Sequence, residues 1–179
     1  MSNFQSAIFF VMGNEGGYSN DKKDKGGATN FGISTRFLKL IDKDIDGDGH
    51  VTSKDVTALT KDNAIDLYKQ YFWDHYKLER LRDTFIARKA LDLFVNMRGK
   101  SAGKILQQAC NKCGASLKID GVVGTRSFNS LNSLSLFGVT KEQLLTEIRK
   151  EQANHYRAIV KADKSQNKFI KGWLARAKR

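Results

Sequence analysis

The chain has 179 residues, enough for one ordinary domain or one domain with a small annex, and 40% apolar residues with 11 Phe exclude a disordered chain. Its 31 Lys and Arg against 19 Asp and Glu leave a formal charge of +12, which favours a polyanionic partner without choosing among nucleic acid, an anionic membrane surface and a cell-wall polymer. No apolar stretch approaches membrane-spanning length, which excludes stable membrane insertion, and the piece "AIFFVM" from Ala7 lacks the basic flank of a secretory signal.

Asn3 to Gly13 reads as a helix: Ser2 and Gln5 offer a capping box, and Phe4, Ile8 and Val11 share a face. The stretch "GNEGGYSNDKKDKGGATNFGIS" follows. It crowds carboxylates and glycines into one loop, which is costly in conformational entropy and implies that backbone approaches something closely. "TNFGIS" predicts a short strand, and Thr35 to Ile41 a helix capped by Ser34. A polar Asp/Gly loop runs from Asp42 to Asp55, after which Thr60 caps a helix carrying Ala64, Ile65, Tyr68 and Phe72 at helical spacing. Asp83 to Met97 repeats that pattern with Ile86, Ala90 and Leu93.

Gly99 marks a change of register. Beyond it the pattern predicts helices over Ala102 to Cys110, Arg126 to Leu131 and Lys141 to Val160, and a last one in the tail "NKFIKGWLARAKR". Few segments alternate with period two, so the chain reads as mainly α. The change at Gly99 divides it into a region 1–98 and a helical region 99–179 that is expected to pack as one compact unit with the first.

"DIDGDGHVTSKD" fits the calcium-binding EF-hand loop position by position. Asp44, Asp46 and Asp48 hold positions 1, 3 and 5, Gly49 allows the turn, His50 would offer its carbonyl, and Asp55 closes the loop. A hard cation wants oxygen all round, and carboxylates this close repel one another without one. Because one such loop is present and a sensor pairs two, Ca2+ is expected to be structural, with modest affinity since Asp55 is shorter than the usual closing Glu. Cys110 and Cys113, in "CNKC", read as two small core residues, since structural zinc needs four ligands and the three His are scattered.

Glu15 follows an apolar helix, where partial burial would raise its pKa and let it donate a proton to a departing glycosidic oxygen. A second carboxylate across the loop, Asp24 or its competitor Asp21, could stay ionised, and Thr29 and Asn30 could hold a water. Taken bare, the same residues also describe an ordinary polar turn.

"NEGGYSNDKKDKGGATNFGIS" resembles the signature of the glycoside hydrolase family 108 lysozyme-like proteins, phage and prophage N-acetylmuramidases sometimes labelled secretion activators. Glu15 to Tyr18, Asn20, Asp21, Asp24, Gly26 to Asn30, Gly32 and Ile33 match it. "KILQQAC", "IDGVVGTRS" and "KFIKGWLARAK" are similar to the peptidoglycan-binding region usually fused behind it, so the resemblance spans nearly the whole chain. It implies a lysozyme-like helical fold with a small β element and the calcium loop as an insert. Glu15 carries over as the catalytic acid, Asp24 and Thr29 as further catalytic candidates, and Tyr18 and Asn30 as substrate-binding residues. Lys22, Lys25 and Arg82 stand where the family has proline, and "VNMRG" places its glycine one position later than the family does.

The resemblance implies cleavage of the β-1,4 bond between N-acetylmuramic acid and N-acetylglucosamine by a hydrolase, or by a lytic transglycosylase on the same bond; a monomer is the default expectation. A non-catalytic peptidoglycan-binding module is the third reading. A nucleic-acid binder has only the charge in its favour, because no recognised motif or interleaved stacking aromatics accompany it. Lacking a signal, the protein is expected to be made in the cytoplasm and to reach the wall through a holin or another release route.

Overall fold

In the computed structural model, residues 2–13, 18, 27–133, 136 and 138–179 are described. They are mainly helical, with one two-stranded sheet, and the packing divides the chain into two units, Met1–Lys77 and Leu78–Arg179.

The first unit opens with α1 (Asn3–Met12), whose start is held by the Ser2/Gln5 capping box and which buries Ala7, Ile8 and Val11. β1 (Thr29–Asn30) and β2 (Ile33–Ser34) form an antiparallel hairpin, so "TNFGIS" folds as two strands around a turn rather than one strand. Phe31 and Gly32 both take positive φ, the two-residue geometry whose twist suits a hairpin. Ser34 then caps α2 (Thr35–Leu40) by accepting from the Phe37 N–H. Past the Asp/Gly loop come α3 (Ser53–Ala58) and α4 (Lys61–Tyr68), the latter capped by Thr60 and widening into a π-helical turn over Lys69–Asp74. That turn delivers Phe72 against Phe37 at 5.5 Å and buries Trp73 against Phe4 at 5.4 Å, which makes Trp73 a core residue.

The second unit begins with a 3-10 turn over Leu78–Arg80, followed by α5 (Thr84–Asn96), α6 (Gly99–Lys112), α7 (Thr125–Ser133) and α8 (Lys141–Ala162). A 3-10 stretch over Lys164–Phe169 leads into α9 (Ile170–Ala177). α8 is the spine: α5, α6 and α9 all pack on it, with Leu144, Leu145, Ile148, Gln152 and Tyr156 inward. α5 belongs with these helices by packing, so the packing units part between Lys77 and Leu78, ahead of the sequence change at Gly99.

The turn "KIDGVVG" is seated on α6 by one side chain. Gln107 donates to Asp120 Oδ1 at 2.9 Å and to the Val122 carbonyl at 3.0 Å, and accepts from the Gly121 N–H at 2.8 Å. Cys110 is buried, Cys113 half-buried, and both are free thiols. Burial pushes the Cys110 thiol up to about 12, with Cys113 adding to the shift, so it packs as a small apolar residue.

Candidate functional site

Glu15, Asp21 and Asp24 lie outside the described residues, but the segment that carries them leaves from and returns to well-anchored structure. It leaves α1 at Gly13, whose N–H donates to the Phe9 carbonyl, and returns at the hairpin. Tyr18, the described residue within the segment, is exposed. The hairpin is tied down at three points. The Tyr68 hydroxyl donates to the Phe31 carbonyl at 3.0 Å, the Asn30 side-chain amide donates to the Val56 carbonyl at 3.2 Å, and Thr35 donates through both N–H and hydroxyl to the Ala28 carbonyl.

Thr29 and Asn30 therefore sit half-buried on a fixed edge. Among the described residues the Thr29 hydroxyl makes one long contact, 3.5 Å, to the Gly27 carbonyl, which leaves it donor and acceptor capacity for a water or a substrate group. Asn30 already commits its amide donor to the protein, while its side-chain oxygen has no partner among the described residues.

In the Asp/Gly loop, Asp44, Asp46 and Asp48 bring carboxylate oxygens within 4.8 Å of one another. Backbone donors shape them: Gly47 and Gly49 donate to the two oxygens of Asp44, Asp48 donates to Asp46, and the His50 N–H donates to Asp48. The expected closing ligand has a structural role of its own. Asp55 is wholly buried, outside the three-carboxylate group. One of its oxygens accepts from Ile45 N–H at 2.7 Å and the other from Thr52 N–H at 2.6 Å. Burial works against its charge, yet the backbone donors of Thr52, Ile45 and Asp46 outweigh it and hold the carboxyl below its ordinary value. Asp55 is the capping-box partner of Thr52 at the start of α3, and the carboxylates gathered within 4.8 Å are those of Asp44, Asp46 and Asp48.

Two family models match the chain: one described as Glycosyl hydrolase 108 over residues 8–98, about half of its length, and one described as "Predicted Peptidoglycan domain" over residues 101–178. The chain belongs to the glycosyl hydrolase 108 family. A solved structure of Brucella abortus SagA is similar to it, with a TM-score of 0.74 and 26% identity over 98% of this chain and 90% of that one. No curated protein matches. The two matches together describe a lysozyme-like, peptidoglycan-active protein of the family, and the first includes the whole glycine-rich signature.

Other polar residues of the second unit are held by the protein itself. Gln107 is consumed by the turn described above. Asn96 donates to the Asp92 carbonyl at 2.7 Å and to Asp92 Oδ1 at 2.9 Å, and its oxygen accepts from Arg176. Sequence reasoning missed Lys89, buried beside Asp92 at 3.8 Å and donating to the Ala177 carbonyl at 3.2 Å. Its spacing was the signal, three residues after Ile86 and four before Leu93, which puts a lysine on the apolar face of α5. Among the described residues no helix is long and apolar enough to cross a membrane.

Proposed function

We propose that this family 108 protein hydrolyses the β-1,4 bond between N-acetylmuramic acid and N-acetylglucosamine, with Glu15 as general acid. The observation that carries the reading is the Glycosyl hydrolase 108 match over 8–98, which contains the signature around Glu15, followed by a peptidoglycan domain in the same chain. Glu15 would protonate the leaving glycosidic oxygen. Asp24 would remain ionised, activating water or steadying charge on the sugar ring, and Thr29 would position that water through its loosely engaged hydroxyl. The anchored hairpin supports this assignment, because positioning groups work only from a rigid edge.

Calcium is proposed as a structural ion. An all-oxygen set from Asp44, Asp46 and Asp48 suits a hard cation, and these three carboxylates would hold it. The ion would neutralise their mutual repulsion and brace the loop ahead of α3.

The decisive experiment is digestion of purified peptidoglycan sacculi by wild type, Glu15→Gln and Asp24→Asn, with products read by mass spectrometry. Reducing muropeptides from wild type and none from Glu15→Gln are expected. Anhydromuramic products would replace hydrolysis with lytic transglycosylation, and an inert wild type on a susceptible wall would leave only binding.

A further inference from the structure

Within the second unit, a cavity of about 490 Å³ opens where the end of α5 meets the start of α6, walled by α8 and α9. Arg98, Ser101, His155, Tyr156, Trp173 and Arg176 line it, and no Asp or Glu does among the described residues. Its size is that of a pocket for a small ligand.

The walls are built for an anion. Arg176 is held in place by an ion pair with buried Asp92 at 3.7 Å and by Asn96, which fixes its guanidinium fork at the cavity edge. Arg98 sits at the start of α6, a 14-residue helix, where no side chain among the described residues caps the helix and the dipole is positive. Ser101, in the first turn of α6, adds a hydroxyl donor. His155 titrates below its ordinary value because of its burial, so at neutral pH it offers a neutral imidazole.

The walls are poorly suited to a sugar face. Trp173, the residue that could serve as a sugar platform, stacks on Tyr156 at 5.3 Å and on Phe169 at 5.7 Å, so protein rings take up its stacking surface. Tyr156 is in turn pinned through its hydroxyl by Gln152 at 3.1 Å. What remains is a rigid aromatic floor with cationic and hydroxyl donors around it. A peptide carboxylate matches that chemistry; a hexose ring does not.

We propose that this cavity binds a carboxylate of the peptidoglycan stem peptide, with Arg98 and Arg176 as its cationic clamp and Ser101 as a further donor. The proposal rests on the peptidoglycan reading above. The region would then recognise the wall by its peptide, leaving the glycan to the segment around Glu15.

The test is calorimetric titration of the full chain with the free tetrapeptide L-Ala-γ-D-Glu-meso-diaminopimelate-D-Ala. Its fully amidated form, tetra-N-acetylchitotetraose and inorganic phosphate are titrated in parallel. Binding of the tetrapeptide, weakened about tenfold or more by amidation and by Arg98→Ala, is expected. Ser101→Glu is the sharper variant. An acidic residue in the first turn favours α6, so melting should hold or rise while a carboxylate ligand is repelled. No tetrapeptide binding, or binding indifferent to both substitutions, would overturn the proposal. Chitotetraose binding that depends on Arg98, or phosphate binding as tight as the tetrapeptide, would overturn it too. Sacculus digestion separates the two ideas: digestion without tetrapeptide binding sinks the pocket alone, and tetrapeptide binding without digestion sinks the hydrolase alone.

Discussion

Gly103 on α6 and Gly121 in the following turn pass so closely that a Cβ on Gly103 would lie 2.1 Å from the Gly121 carbonyl oxygen. The approach is reciprocal in kind: Gly121 has φ +82°, and a Cβ there would lie 2.4 Å from the Lys100 carbonyl oxygen. Both obstacles are backbone, so neither can rotate away. Gly103→Ala is expected to destabilise the protein by at least about 2 kcal/mol, since the turn that Gln107 seats must lift off α6. Gly124→Ala, with open space around it, should stay within about 0.5 kcal/mol of wild type. Urea unfolding of the two variants side by side decides the point, and equal midpoints would refute the close contact.

Lys89 gives the protein a readable pH dependence. Burial lowers its pKa from 10.5 to about 8, with Asp92 partly offsetting the shift and Arg149, Arg176 and Arg179 reinforcing it. Between those values the unfolded chain holds a proton that the folded chain has released, so stability rises with pH across the window. Cys110 acts in the opposite sense above its ordinary value of 9, because burial raises it. Cys113, also raised by burial, acts the same way, and both thiols begin to ionise in the unfolded chain below pH 9. The Lys89 contribution of about 1 kcal/mol between pH 8 and 9 is therefore read as the difference between wild type and Lys89→Met. Lys89→Met should flatten that rise. Chemical denaturation at half-unit steps of pH measures it, and an identical slope in the variant would remove Lys89 as the cause.

Asp55 and Asp46 should separate structure from metal binding. Asp55→Asn places an amide donor against backbone N–H groups that now meet a carboxylate, and should cost about 1–3 kcal/mol with or without calcium. Asp46→Asn should leave the apo protein nearly unchanged but remove any calcium-induced rise in Tm. Melting scans with calcium and with a chelator check both. A calcium response that survives Asp46→Asn, or is absent from wild type, would end the metal proposal.

Caps and periodicity made most helices legible. Ser2, Ser34, Thr60 and Asp83 each accept a backbone N–H at a helix start, and local hydrogen bonds of this kind are written in sequence spacing. α3 was not legible, because Asp55 at a metal-ligand position is also third in a Thr-x-x-Asp capping box, and the Asp/Gly run around it reads as loop. The π-helical turn over Lys69–Asp74 breaks the 3.6 period and leaves no local signature. Arg82 shows what a departure from a family pattern can hide: where proline would stand, its N–H donates to Asn132 Oδ1 at 3.0 Å, a bond proline cannot make. The cavity beside Arg98 was invisible for another reason. Its residues come from four helices, and only packing brings them together.

The two residues carried over as substrate-binding differ in what else they do, and that difference is measurable. Asn30 ties the hairpin to the Val56 carbonyl from a half-buried position, so Asn30→Ala removes a donor from the protein's own frame and orphans that carbonyl. It should lower Tm, by about 1 kcal/mol of stability, and reduce kcat through misplacement of the Thr29 edge. Tyr18 is 51% exposed, so Tyr18→Ala should leave Tm unchanged. If its ring meets the glycan equally in ground and transition states, the loss appears in KM with kcat preserved. Turbidity kinetics on sacculi, paired with melting curves, distinguish the two. An Asn30→Ala protein with wild-type Tm would show that the Val56 bond does not hold the hairpin. A Tyr18→Ala protein with wild-type KM and kcat would remove Tyr18 from the substrate path.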